Sequence, residues 1–417
     1  MRGKGVRSVL VNLVRTAFNS RAFALVLLLI DGLCVRVYVL FASTKARQYE
    51  LLLVAPPGAG NIGDQALVES ALDNSVGSVL LVVRNSCDFV IPSAHLGRVR
   101  VAEFRHLIYG RSLKRFTDLF RFFNYAKRSE STWLIGADIM DGAYNPLASV
   151  SRFSCVISAA KLGSKASVLG FSWNSHGTAS ATYCARIAAE SVRLIARDSF
   201  SRRRLLESDV SPVSNGADIV FSRMQRVQES PYSEWVAMER AKGKKVAVVN
   251  ASALLAGKYD QRTEYQNFIS QMDPKVWSII FVPHVRRAGN DDLLCLADLA
   301  VSTGGLECKV IEELLSPSEI FSILMGSTFV LTGRMHLAVL AINAGVYPVT
   351  MSSQGKVSGL YDMLSCPELC IEPSAGCSGQ IATVFQALSA NDFPNVPHSI
   401  REEIASLSRA NFVPFSS

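Results

Sequence analysis

The most constraining feature of this sequence is a recurring unit. A short apolar run ends in a loop that opens on Gly, Asp, Arg or His, and a stretch with helical spacing follows. Leu51–Val54 enters Ala55-Pro56-Pro57-Gly58-Ala59-Gly60, and Asp64–Leu72 then places Ala66, Leu67, Ala71 and Leu72 at helical intervals. Val79–Val83, Ser131–Ile135, Ala166–Phe171 and Arg193–Ala196 read as further buried strands, with helices over Arg152–Leu162 and Ala179–Val192. Strands that alternate with helices pair in parallel, because a right-handed crossover needs a helix to return the chain.

A second series begins after Asp218. It predicts strands at 245–250, 277–283, 308–311, 329–332 and 347–351, and helices at 265–272, 291–303, 317–325 and 337–343, with Ser316 as an N-cap. A chain of 417 residues suits two domains of about 200 residues each. The polar, charged stretch 222–241 separates the series and puts the boundary near 217–229. The expected organisation is an N-terminal segment over 1–46, a first domain over 47–220 and a second over 221–417.

The N-terminal segment is basic and apolar. Arg2, Lys4, Arg7, Arg15 and Arg21 precede the apolar run Ala22–Ile30, which resumes as Leu33–Ala42 after Asp31 and is interrupted again by Arg36. A spanning helix wants about 20 apolar residues, and each central charge costs roughly 2.5–3.5 kcal/mol. A basic helix lying on the inner membrane surface is the expectation, with a single N-terminal anchor and a helix packed on the protein as alternatives. The protein is thus expected to be cytoplasmic and peripheral to the membrane.

Charge and cysteines exclude several classes. The formal charge is +8, from 43 Lys and Arg against 35 Asp and Glu, which suits an anionic substrate or membrane surface. The basic residues do not interleave with aromatics, so nucleic acid is not an expected partner. The 9 cysteines are scattered without a CxxC pair or Cys/His ligand spacing, and Cys366, Cys370 and Cys377 have no histidines beside them. Neither a disulfide framework nor a metal site is expected.

The chemistry-bearing residues stand at strand ends, where parallel sheets bind ligands. Gly60-Asn61-Ile62-Gly63-Asp64 follows a strand and opens a helix, whose amides favour anions. A tight turn capped by Asp64 is the ordinary alternative. Asp138 and Asp141, in Gly136-Ala137-Asp138-Ile139-Met140-Asp141, suit sugar hydroxyls or a base, or a capped turn. Arg197-Asp198 also lies at a strand end, where a cap and an ion pair are the plainer roles. His284 closes Val282-Pro283-His284. Arg334 and His336 sit two residues apart between a buried strand and an apolar helix. Arginine offers a planar fork to phosphate or carboxylate, and histidine moves protons near neutral pH. Lys356 adds a cation after the next strand.

Taken in order, the motifs at 60–64, 136–141, 197–201, 216–221, 282–284, 333–336 and 355–356 resemble the polysaccharide pyruvyl transferase family, over roughly Leu51 to Leu364. The resemblance implies an α/β fold of two facing Rossmann-like domains, GT-B-like, with a deep cleft between them. It implies transfer of a pyruvyl group from phosphoenolpyruvate to a sugar or lipid-linked oligosaccharide of a cell-surface polysaccharide, as a ketal, with no cofactor or metal. Arg334 would bind the donor anions, His336 would act as general acid and Lys356 would help neutralise the donor. Asp64, Asp138 and Asp141 would face the acceptor from the first domain, with Asn61, Gly63, Arg197 and His284 as binding residues. The chain departs from the family at Ala137, where a glycine run is usual, at Gln65, where an acid is common, and at Ser352-Ser353-Gln354, where an aromatic often stands. The competing expectations are a nucleotide-sugar glycosyltransferase, with Glu312 or Glu313 on the ribose, and a catalytically silent glycan-binding relative.

Overall fold

A computed structural model of the chain describes residues 16–42, 46–257, 259–301, 303–352 and 357–413. The chain divides into two compact units. The first takes residues up to Gly58, Ala71–Ile219 and the chain from Leu407 on; the second takes Ala59–Ser70 and Val220–Ser406.

The first unit is built on strands β1 (Tyr49–Val54), β2 (Val79–Val83), β3 (Val99–Glu103), β4 (Ser129–Ile135), β5 (Lys165–Phe171), β6 (Arg193–Ala196) and β7 (Ser214–Asn215). All pair in parallel in the order β3-β2-β1-β4-β5-β6-β7. β1 and β2 are near-continuous apolar runs because both faces of a parallel sheet are covered. The order reverses between β1 and β4. Gly136 leaves β4 in a place no side chain fits, since a Cβ there would strike Phe171.

The second unit repeats the scheme with β8 (Lys245–Asn250), β9 (Trp277–Phe281), β12 (Glu307–Val310), β13 (Phe329–Thr332), β14 (Pro348–Met351) and β15 (Cys370–Ile371), in the parallel order β12-β9-β8-β13-β14-β15. A short antiparallel ribbon, β10 (Arg286–Arg287) with β11 (Asn290–Asp291), follows β9. Here the order reverses between β8 and β13. The protein is therefore α/β with two Rossmann-like domains.

Two segments cross the expected division at 220. Ala59–Ser70, with the first turns of the helix Ile62–Asp73, groups with the second unit, and the chain from Leu407 returns to the first. The first exchange has a clear cause. Asn61 bridges Val285 antiparallel, the Ile62 amide donates to the His284 carbonyl at 3.1 Å, and the Arg286 amide donates to the Gly60 carbonyl at 2.8 Å. Glu69, buried, pairs with Arg223 at 2.8 Å, and Arg223 also reaches Ser318 at 2.6 Å. The second exchange rests on Asn411, which accepts from the Gly170 amide and donates to the Ala217 carbonyl.

The polar stretch 222–241 contains a helix, Pro231–Ala241, with a Ser230/Ser233 capping box. The helix expected from Arg152 begins at Pro146, where Asn145 caps it. Near the N-terminus, Arg21–Phe41 is one helix packed on the helices Lys114–Lys127, Pro146–Lys161 and Ala179–Ala189. All 9 cysteines are free thiols.

Candidate active site

The second unit gathers the two most distinctive motifs. β13 ends in Thr332-Gly333, and Gly333 lies so close to Ser252 that a Cβ would fall 2.6 Å from that side chain. Arg334 is extended (φ −123°, ψ 119°) and caps the helix Met335–Asn343, with its amide donating to Thr332 Oγ1 at 2.9 Å. Its side chain is 7% exposed and meets Asp292, fully buried, as a two-point pair: Nε to Oδ2 at 3.1 Å and Nη2 to Oδ1 at 2.5 Å. Nη2 also donates to Asn290 Oδ1 at 2.7 Å.

Asp292 is the hub of this arrangement. Its oxygens also accept from Asn250 Nδ2 and from the amides of Ala253, His284 and Val285, at 3.0–3.2 Å. A buried carboxylate held by this many donors fixes the guanidinium plane. Arg334 Nη1 has no hydrogen-bond partner among the described residues, so one edge of the fork is left for a ligand.

His336 is the second residue of the same helix and is half-buried. Gly63 lies against its ring: a Cβ on Gly63 would fall 2.7 Å from His336 Cγ and closer still to Nδ1. The glycine of the upstream motif is therefore required by the histidine of the downstream one. Asn61 Oδ1 accepts from the Gly63 amide at 2.9 Å, an Asx turn that starts the helix Ile62–Asp73. Gly60 has φ +73°, and a Cβ there would strike the Arg286 carbonyl. Asp64, 7% exposed, accepts from Arg287 Nη2 at 3.3 Å.

His284 completes the cluster. It is 1% exposed, and neither ring nitrogen has a partner among the described residues. Burial first, then the charges of His336 and Arg334, hold its imidazole well below the ordinary histidine range. It is neutral at pH 7. Arg334, His336, His284, Asn61, Gly63 and Asp64 thus come together in one unit. The expectation that Asp64 belongs to the first domain is corrected by the pairing of 60–62 with 284–286. Lys356 lies outside the described residues.

The first unit gathers the other candidates at the carboxyl ends of β4, β5 and β6. Asp138 is half-buried and accepts from the Tyr144 hydroxyl at 3.0 Å. Burial, then the Asp138 charge and its hydrogen bond, push the Tyr144 phenol upward. Asp141 is fully buried and accepts from the amides of Ala143 at 2.9 Å and Asn174 at 3.4 Å, so it organises the loop. Arg197, 2% exposed, pairs with Asp218 at 3.3 Å. Asp198 caps the helix Ser199–Glu207 through the Ser201 amide and hydroxyl. Ala137 adopts φ +46°, the left-handed region, at a cost of about 1–2 kcal/mol that glycine avoids.

Sequence reasoning missed Asp292, Asn290, Asn250, Arg287 and Tyr144. Asp292 was hidden in the first turn of the helix predicted over 291–303, where a carboxylate reads as a helix-end charge. Glu313 is exposed and accepts from Tyr232 at 2.9 Å, and Glu312 is exposed nearby.

A family model described as polysaccharide pyruvyl transferase matches residues 98–355. No curated protein matches the sequence. Among solved structures, UDP-GlcNAc 2-epimerase from Methanocaldococcus jannaschii is similar at a TM-score of 0.53 and 11% identity, over 86% of this chain and 98% of that one. UDP-GlcNAc 2-epimerase from Neisseria meningitidis, bound to UDP-GlcNAc, gives 0.51 and 10%, over 86% and 97%. Anabaena HepE in complex with UDP gives 0.52 and 10%, over 88% and 96%. At these identities the likeness is one of fold.

Proposed function

The chain belongs to the polysaccharide pyruvyl transferase family, and we propose that it moves a pyruvyl group from phosphoenolpyruvate onto two hydroxyls of a sugar, forming a ketal. The acceptor is a cell-surface polysaccharide unit or its lipid-linked precursor, met at the inner membrane surface. The observation that carries this reading is the meeting of His336 with Gly63 beside an arginine held by Asp292.

Phosphoenolpyruvate brings a phosphate and a carboxylate, and Arg334 Nη1 with the amide end of the helix Met335–Asn343 offers a cationic seat for one of them. His336 gives a proton to the methylene carbon, which becomes methyl, and C2 becomes electrophilic. One sugar hydroxyl attacks C2 and loses its proton. The C–O bond to phosphate breaks and the second hydroxyl attacks; of the two hydroxyl protons, one restores His336 and the other leaves on inorganic phosphate. His284, neutral, adds no charge against a protonated His336. Asp138 with Tyr144 orients acceptor hydroxyls, Arg197 and Asp141 hold that loop, and Asp64 with Arg287 sets the start of the glycine-bearing helix. Lys356 is proposed as a second donor cation. No resident cofactor enters this scheme.

The test is to offer the protein phosphoenolpyruvate or nucleotide sugars together with lipid-linked and nitrophenyl sugars. Phosphate release with a pyruvyl mass gain on the sugar is expected. Glycosyl transfer from a nucleotide sugar, with no reaction from phosphoenolpyruvate, sinks the reading.

A further inference from the structure

The helix Arg21–Phe41 is apolar and long enough to cross a membrane, yet it is fastened to the first unit. Ala24, Leu27, Asp31 and Val35 recur at helical spacing and form its buried face. Asp31, 1% exposed, takes both ends of the Arg115 guanidinium at 2.7 and 2.6 Å and the Ser154 hydroxyl at 2.5 Å. Tyr38 packs edge-on against Phe123. The charge that interrupts the apolar run is thus the clamp that holds the helix on the protein.

Among the described residues the opposite face has no cover. Leu25, Val26, Leu29, Leu33, Val37 and Leu40 are 38–79% exposed, an apolar stripe roughly 20 Å long at 1.5 Å per residue. A contiguous apolar surface of this kind marks an interaction site. Its surroundings are basic: Arg21 and Arg36 are exposed on the helix, Lys161 lies beside Gly32, and Arg111 lies over Phe18. A second copy docked on this face would bring like charges together, whereas an anionic lipid surface would meet the apolar stripe and the basic rim at once.

We propose that this helix lies in the plane of an anionic leaflet, with Asp31–Arg115 keeping it on the protein and its outward face in the lipid. Arg36, on that face, reaches the headgroups with its long stem. This rests on the reading that the acceptor is met at a membrane surface, and it makes the helix a docking face rather than a spanning anchor.

The full-length protein and a Leu29→Glu/Leu33→Glu variant are mixed with vesicles of phosphatidylcholine, with and without phosphatidylglycerol. Wild type is expected to co-sediment with the anionic vesicles, and the variant to bind at least about tenfold more weakly, with equal turnover of phosphoenolpyruvate on a soluble sugar. Equal vesicle binding by the two proteins overturns the proposal. So does a wild-type dimer that ignores vesicles and that the variant dissociates. Labelling of Ala22→Cys and Leu40→Cys from opposite sides of a membrane also overturns it. Absence of turnover with intact, variant-sensitive binding counts against the pyruvyl transfer reading and leaves the docking face standing.

Discussion

The two candidate clusters differ in how their residues are held. In the second unit, segments more than 200 residues apart in sequence, 60–64 and 284–336, are interlocked by backbone pairing, by a glycine that fits a histidine ring, and by one buried carboxylate that aims an arginine. In the first unit, Asp141 and Arg197 are engaged by neighbouring loops, through Ala143, Asn174 and Asp218, and Asp138 with Tyr144 is the pair nearest to solvent. A cluster organised as in the second unit holds its charged groups rigidly. In the other, the Asp138–Tyr144 pair is the more open part. Under the proposed reaction the rigid cluster would carry the charge chemistry and the more open pair would meet the acceptor.

The comparison breaks most sharply at His336. His336→Ala is expected to lower kcat by about 10²–10⁴-fold, the usual worth of a general acid, with an unchanged melting temperature. A variant near wild-type rate removes the proton donor from the account. Asp292→Ala comes next. It leaves the buried Arg334 charge uncompensated, so a stability loss of about 3–5 kcal/mol is expected in chemical denaturation. A loss below about 1 kcal/mol would show that Asp292 is not the hub described.

Gly63→Ala pushes the imidazole from its place, and misplacement of about 1 Å costs on the order of 10² in rate. Phosphoenolpyruvate KM should move little, which separates ring position from anion binding. Asp138→Asn should raise the acceptor KM by about tenfold, one lost hydrogen bond to a charged group, and leave the phosphoenolpyruvate KM alone. A change in both would erase the division between the clusters.

The smallest effect is on pH. His284 refuses a proton when folded, while the unfolded chain accepts one below about 6.5. Above that pH both states are neutral at this site. As pH falls below it the unfolded state binds the extra proton, so stability is lost at up to about 1.4 kcal/mol per pH unit. His284→Phe should flatten the melting profile between pH 6.5 and about 5.

Much of this was legible in the sequence. β2, β6, β8 and β13 have the predicted bounds, because buried parallel strands are continuous apolar runs. Arg334 and His336 were legible because a cation and a proton donor rarely follow such a strand without use. β3 was not, since Val99–Glu103 is an edge strand in which Arg100 is exposed and only Ala102 is buried, so no continuous apolar run marks it. The pairing of Gly63 with His336 was not legible either, because spatial contact between distant loops leaves no local periodicity. Asp31 read as a break in an apolar run, and its partner Arg115 lies 84 residues away.

The most direct test of the central claim is phosphate released from phosphoenolpyruvate per pyruvyl group gained by the sugar, in a single turnover of wild type and His336→Ala. Wild type should give one phosphate per ketal, and the variant neither product. Phosphate release without ketal, or ketal formation at the wild-type rate in the variant, contradicts it.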